Sequence, residues 1–275
     1  MQISRNVDRV AVGDEGPIGP PNIYLVAGSM RAAFVDTGYG NDAEVEECLA
    51  LWADKGSLPV AAIVLTHRHP DHVGGASRLR TATGGRVLCT EVERGPVESE
   101  STTVDGTVGD GDTLDLGGVT LEFVNTPGHT MGSLCVLMRE DGVLFTGDTV
   151  LGGGSVAISP DHGDVGRYVE SLAKLIEIGS RLIAPGHGLV VDKPMMKLKW
   201  LIEHRRKREE QIIGLLSNGA SSMDDLFSAI YPRLRTDLHR AARGQIRAHL
   251  MKLERDGKLV SAESSDGPYV LGSSS

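Results

Sequence analysis

Within six positions the chain places His67, Arg68, His69, Pro70, Asp71 and His72, so that three imidazoles and a carboxylate crowd one short stretch. Each such group costs free energy when buried unless it finds a partner. A bound metal satisfies them together. Imidazole nitrogens with a carboxylate oxygen suit a borderline cation such as zinc, which keeps a position open for water where it is catalytic. His67 and His69, two apart, point the same way in extended or loop backbone, which leaves Asp71 and His72 free to address a second ion.

The same chemistry recurs further along. Val119–Asn125 alternates as a strand and runs into Gly128-His129; Val143-Leu144-Phe145 runs into Gly147-Asp148; Leu182-Ile183-Ala184 runs into Gly186-His187. Each apolar run therefore ends in glycine followed by a ligand-type side chain, delivered where the strand stops. Upstream, Asn22–Val26 and Ala32–Val35 read as two strands, the second ending in Asp36-Thr37-Gly38. Asp36 is either a turn residue or a carboxylate that orients a metal-bound histidine. Gly152-Gly153-Gly154 lacks the form of a phosphate loop and reads as close backbone approach near the site.

These residues need a scaffold, and the patterning supplies one. Ala61–Leu65, apolar on both faces, is a strand for the interior of a layered α/β protein. Asn41-Asp42-Ala43-Glu44 has the form of a capping box, and Val45, Cys48, Leu49 and Trp52 continue it as an amphipathic helix over 42–55. Arg86–Cys89, Thr113–Leu116 and Leu134–Met138 add strands, and a helix opens near Asp164.

After Pro194 the texture changes. Met195–Ser217 is a long helix, apolar at both ends and charged between, as expected of a helix joining two cores. A short helix opens at Ser221-Ser222 and runs to Ile230, a third covers 237–256, and Lys258–Ser261 with Tyr269–Leu271 reads as a hairpin. Three helices and a hairpin make a winged-helix layout. The expected division is 1–192 for a catalytic domain and 193–275 for the linker helix and winged-helix-like domain, with a disordered tail from Gly272 to Ser275.

Charge divides the same way. The net charge of −9 over 275 residues separates into 13 Lys and Arg against 27 Asp and Glu before Lys193, hence −14, and 15 against 10 from there on, hence +5. Arg240, Arg243 and Arg247 lie on the helical face opposite Ile246 and Leu250, where they could meet phosphates or simply face solvent. Three scattered cysteines, Cys48, Cys89 and Cys135, form no disulfide framework. With no membrane-spanning run, the expectation is a soluble, cytoplasmic protein with no membrane partner.

The run His67-Arg68-His69-Pro70-Asp71-His72, followed in order by His129, Asp148 and His187, resembles the metallo-β-lactamase superfamily, with Asp36 in its Asp-Thr-Gly position. The C-terminal winged helix adds a resemblance to the β-lactamase-like protein 2 family. What this implies is a four-layer αββα sandwich holding two zinc ions, with manganese or iron as alternatives. His67, His69 and His129 would hold one, Asp71, His72 and His187 the other, and Asp148 would bridge them. A hydroxide shared by two such ions is the expected nucleophile, with Asp71 taking a proton. The bridging Asp148 is typically absent from the antibiotic-hydrolysing members, which disfavours β-lactams. The resemblance implies a phosphodiesterase, specifically an endoribonuclease on single-stranded RNA. The alternative is a thioester or lactone hydrolase resembling glyoxalase II, and a third reading gives the winged helix to homodimer or partner contacts alone.

Overall fold

The computed structural model describes residues 1–10, 19–100, 102–260, 264 and 266–272. The predicted tail beyond Gly272 and the end of the first hairpin strand at Ser261 lie outside them.

Two sheets face each other. The first has seven strands in chain order: β1 (Gln2–Ser4), β2 (Val7–Val10), β3 (Ile23–Ala27), β4 (Ala32–Val35), β5 (Val60–Val64), β6 (Arg86–Cys89) and β7 (Gly106–Thr107). The second comprises β8 (Thr113–Asp115), β9 (Thr120–Asn125), β10 (Leu134–Met138), β11 (Val143–Gly147) and β12 (Leu182–Pro185), again neighbours in sequence. Period-two alternation in β9 sends Leu121 and Phe123 inward, where they meet Val26, Val35 and Val64 of the other sheet and Phe145 of their own in the core between the sheets. Tyr24 and Phe145 meet edge to face at 5.2 Å between ring centres.

Helices cover both outer faces. On the first sheet lie α1 (Asp42–Asp54), α2 (Pro70–Val73), α3 (Ala76–Thr83) and α4 (Glu91–Ser99); Val45, Cys48, Leu79 and Val97 bury there against Phe34 and Ile63. The capping box at Asn41 and Glu44 forms as expected, with both reciprocal hydrogen bonds present. On the second sheet, α5 (Val165–Ile178) packs Tyr168, Leu172 and Leu175 against Leu137, Leu144 and Ile183. The result is the αββα sandwich.

The remaining helices are α6 (Pro194–Ser217), α7 (Met223–Ile230) and α8 (His239–Arg255), followed by the antiparallel pair β13 (Leu259–Val260) and β14 (Val270–Leu271). α6 does join two cores. Leu198 and Leu201 belong to the α5 layer, whereas Ile212 and Leu216 enter a separate cluster with Leu226, Phe227, Ile246, Leu250 and Tyr269.

Several elements carry no sequence signal of their own. α3 buries only Ala76 and Leu79 of its eight residues, and α4 contains Pro96 and Gly95, so neither shows the apolar stripe that marks a helix. β1, β2 and β7 are two to four residues long. They exist because a neighbouring strand offers its edge.

Asp164 fastens the two parts together. It caps α5 by accepting from the Arg167 N–H at 2.9 Å, and its second oxygen pairs with Arg255 at the end of α8. Arg255 and this N–H hold its carboxyl below the ordinary carboxylate range, against the opposing effect of burial. A depressed folded pKa means that the stabilisation is complete above the unfolded value of about 3.9 and is lost as pH falls through the folded one. Asp164→Ala should therefore lower stability by about 1 kcal/mol or somewhat more at pH 7. In urea titrations the difference from the parent should shrink below about pH 4; a pH-independent difference would show that the ion pair contributes nothing.

Candidate metal centre

Strand direction brings the site together. β4 and β5 run parallel, with Val35 beside Val64, and β11 and β12 run parallel, with Gly147 beside Pro185. β9, two antiparallel steps from β11, points the same way. Five strands thus discharge Asp36, His67, His129, Asp148 and His187 at one edge, and the turn into α2 adds His69, Asp71 and His72.

All seven sequence-predicted ligands converge. His67 Nε2 and His69 Nδ1 are 2.9 Å apart, and His129 Nε2 lies 3.1 Å from the same His69 nitrogen. Asp148 divides its carboxylate: Oδ2 faces His129 Nε2 at 3.7 Å and His67 Nε2 at 4.0 Å, while Oδ1 faces His72 Nε2 at 3.4 Å and His187 Nε2 at 3.6 Å. Asp71 Oδ2 sits 3.1 Å from His187 Nε2 and 3.9 Å from His72 Nε2. Two groups result, His67, His69, His129 and Asp148 in one and Asp71, His72 and His187 in the other.

Contacts at the outer nitrogens of His67, His72, His129 and His187 turn their Nε2 atoms inward. His129 Nδ1 lies 3.0 Å from the Ala157 carbonyl and His187 Nδ1 3.1 Å from that of Gly19; a carbonyl only accepts, so both Nδ1 carry a proton and both Nε2 are the atoms turned toward the cluster. His67 Nδ1 reaches the Thr66 hydroxyl at 3.1 Å, and that hydroxyl donates to Asp36 at 2.8 Å. Asp36 also accepts from the Thr66 N–H at 2.8 Å and faces His72 Nδ1 at 2.7 Å. Of its two readings, the orienting carboxylate holds. It does so from a backbone φ of 58°, a left-handed conformation that Asp tolerates better than most residues.

Protonation follows from the same contacts. Burial and the adjacent imidazoles push His67 well below the ordinary histidine range and His69 down to about 3. Burial alone would lower His72, but Asp36 and Asp148 at its two nitrogens hold it well above that range. Asp148 stays ionised despite burial because His72, His129 and His187 surround it. His67, His69 and His129 are thus neutral beside an ionised carboxylate, as a divalent cation requires, whereas Asp71 and Asp148 raise His187 as well as His72, so a cation entering there displaces protons. His72 Nε2, His187 Nε2 and Asp148 Oδ1 are buried with no hydrogen-bond partner. Orphaned polar atoms of ligand type converging on common points fit metal ions.

Glycine is required where the strands end. A Cβ on Gly186 would come within 2.6 Å of Asp148 Oδ1, and one on Gly147, at φ 45°, within 2.4 Å of the Thr66 hydroxyl. The Gly152 loop does approach closely, its N–H donating to the His187 carbonyl at 2.8 Å.

Two residues escaped the sequence reading. Glu93, wholly buried on α4, accepts from Arg68 at 2.6 Å, the Thr130 hydroxyl at 2.7 Å and the Gly132 N–H at 3.1 Å, locking the His67–His72 loop to the His129 loop. One glutamate in a polar helix carries no signal. His162, half-buried, brings Nε2 within 3.3 Å of His69 Nε2; it follows no strand, so the pattern that found the others passes it by.

The sandwich and its two-group histidine and aspartate cluster define a metallohydrolase. Residues 16–187 match the model of the metallo-beta-lactamase superfamily and residues 222–267 that of the beta-lactamase associated winged helix domain. The chain belongs to the metallo-β-lactamase superfamily, a superfamily of hydrolases. It is 31% identical to an atrochrysone carboxyl ACP thioesterase of Aspergillus fumigatus, over 92% of this chain and 82% of that one. With a beta-lactamase-like protein 2 homolog of Drosophila melanogaster it shares 30%, over 91% and 87%. In fold it is similar to a beta-lactamase domain protein from Burkholderia ambifaria, with a TM-score of 0.86 at 20% identity covering 99% of this chain and 94% of that one.

Asp36→Asn keeps shape and left-handed backbone but replaces an acceptor oxygen with a donor. Loss of a hydrogen bond that orients a ligand lowers metal affinity by roughly 10–100-fold, which competition with a chromophoric chelator would read. Unchanged affinity with an intact fold would remove Asp36 from the site.

Proposed function

We propose that the protein is a metal-dependent thioester hydrolase whose substrate carries phosphate on its thiol portion, as a coenzyme A or phosphopantetheine thioester does. One observation carries this reading. A cleft of about 620 Å³ runs from His69, His129 and His162 to Arg240, Arg243 and Arg247 on α8. The arginines of the C-terminal module thus look toward the metal-ligand cluster across the cleft.

The volume lies within the roughly 300–1,000 Å³ typical of small-molecule pockets. Arg243 is engaged by Asp224 at 2.5 Å and stacks on Phe227, whereas Arg240 and Arg247 make no ion pair among the described residues and remain available to an anion. Phosphate is the group they suit, through charge-assisted hydrogen bonds. None of the described residues that line it is Phe, Tyr or Trp. Single-stranded RNA is ordinarily gripped by stacking on such rings, so the cleft favours a compact phosphorylated ligand. The 31% identical thioesterase supports the choice of bond.

Zinc or similar ions, which His67, His69, His129 and Asp148 on one side and Asp71, His72 and His187 on the other would hold, would supply polarisation of the carbonyl and activation of water. The chain's own residues do the rest. Asp71 keeps 17% of its side chain exposed against 6% for Asp148, so it is the carboxylate more open to water and the one assigned to accept a proton. Asp148, enclosed by four imidazoles, holds the two groups in register.

Purified protein should hydrolyse acyl-coenzyme A thioesters, and a chelator should abolish turnover. Arg240→Gln with Arg247→Gln should raise KM for acyl-coenzyme A by roughly tenfold or more, the size of one or two hydrogen bonds to charged groups. A neutral N-acetylcysteamine thioester should be unaffected. Inert thioesters beside chelator-sensitive cleavage of single-stranded RNA would replace this reading with the phosphodiesterase.

A further inference from the structure

We propose that a second cavity, behind the loop 155–158 and between α6 and α8, is a binding site for a tetrahedral oxyanion of the phosphate class. It is separate from the metal-ligand cluster. About 250 Å³ in volume, it is walled by His204, Arg205, Arg208, Gln245 and His249 together with Val156 and Tyr231.

Unsatisfied donors point to the occupant. Arg205 Nε, Arg208 Nη1, Gln245 Nε2 and both ring nitrogens of His249 are buried with no hydrogen-bond partner. Arg205 is 2% exposed, Gln245 7% and His249 wholly buried. Gln245 Oε1 accepts from the Ile158 N–H at 2.9 Å, which fixes its amide with Nε2 outward. Three of these orphaned groups can only donate. Water brings as many donors as acceptors, whereas an oxyanion brings acceptors for all of them.

Charge narrows the choice. Neither Arg205 nor Arg208 makes an ion pair among the described residues. Arg205 donates to the Val156 carbonyl at 2.6 Å and lies over Tyr168, while Arg208 lies over Tyr231, but neither arrangement neutralises a guanidinium. Glu209, the buried carboxylate of α6, is taken by Lys252 at 3.2 Å and stays 3.9 Å from His249 Nδ1. Two positive charges therefore meet in a half-enclosed space, and a buried charge without a counterion is strongly disfavoured. Burial and the positive charge of Arg205 and Arg208 drive His249 down to about 3, so it enters neutral and offers one N–H. A small multivalent anion completes the set; the volume is below that of pockets for drug-sized ligands, about 300 Å³ upward.

The site touches the metal-ligand cluster through one stretch of backbone. The Val156 carbonyl is held by Arg205, the Ala157 carbonyl accepts from His129, and the Ile158 N–H is held by Gln245. An ion that fixes Arg205 and Gln245 also fixes the loop that orients His129.

Isothermal titration of the full chain with inorganic phosphate, in chelator at constant ionic strength so that no metal competes for the anion, tests this directly. In the Arg240→Gln, Arg247→Gln background, which removes the phosphate-binding arginines of the other cleft, saturable binding of one phosphate per chain is expected, weakened tenfold or more by Arg208→Gln. Gln245→Glu keeps the bond to Ile158 N–H, replaces a donor with a negative charge, and should abolish binding even if Arg208→Gln does not fold. Displacement of phosphate by adenosine monophosphate would show that the site takes phosphomonoesters, and failure to displace would restrict it to the free ion; both support an oxyanion site. Absence of phosphate binding, or binding indifferent to Gln245→Glu, overturns the proposal.

Discussion

Everything in this molecule depends on gathering seven side chains that could hold metal ions where two sheets meet, five of them buried, and on the hydrogen bonds that aim them. A buried imidazole with a free nitrogen is costly unless that nitrogen has a use, and its other nitrogen must be held for the first to be aimed. Asp36 does most of this holding. One carboxylate accepts from the Thr66 N–H and hydroxyl and faces His72 Nδ1, so it ties the end of β4 to the end of β5 and passes orientation to His67 through Thr66. Its left-handed backbone is local strain retained because the surroundings over-determine it.

The sandwich follows from that requirement as much as from its own hydrophobic core. Parallel pairing of β4 with β5 and of β11 with β12 sends successive carboxyl ends to one edge, and the glycines there remove side chains that would strike Asp148 or Thr66. Glu93 performs the equivalent task between loops, joining Arg68 to the turn after His129. Precision is achieved by short hydrogen bonds from outside the ligand set, which is why the ligands alone do not describe the site.

The C-terminal module is part of the same economy of charge. Its positive balance, set against the acidic remainder, is directed inward: Arg240 and Arg247 toward the cleft beside His69, Arg205 and Arg208 into the smaller cavity behind residues 155–158. Cleft and cavity share Ala157 and Ala241 as walls, so one short loop separates an anion-seeking surface on each side. α6, with one half in each core, makes the two parts a continuous body.

The residues that converge were legible in sequence because metal chemistry restricts residue type, and a strand followed by glycine and a His or Asp leaves a local pattern at His129, Asp148 and His187. The same held for the cap at Asn41, whose partner lies three residues away. Elements with weak periodicity were invisible: α3, α4 and the short edge strands form only against neighbours already in place. Asp36 was ambiguous, since its partners Thr66 and His72 are 30 and 36 residues distant. For Arg240, Arg243 and Arg247, sequence marked a common face but not what it confronts. That depends on how α8 packs against α5 and α6, a matter of long-range contacts between apolar surfaces. Residue chemistry and local period are written in the chain order; which charged face meets which cavity is decided only when the two cores close on one another.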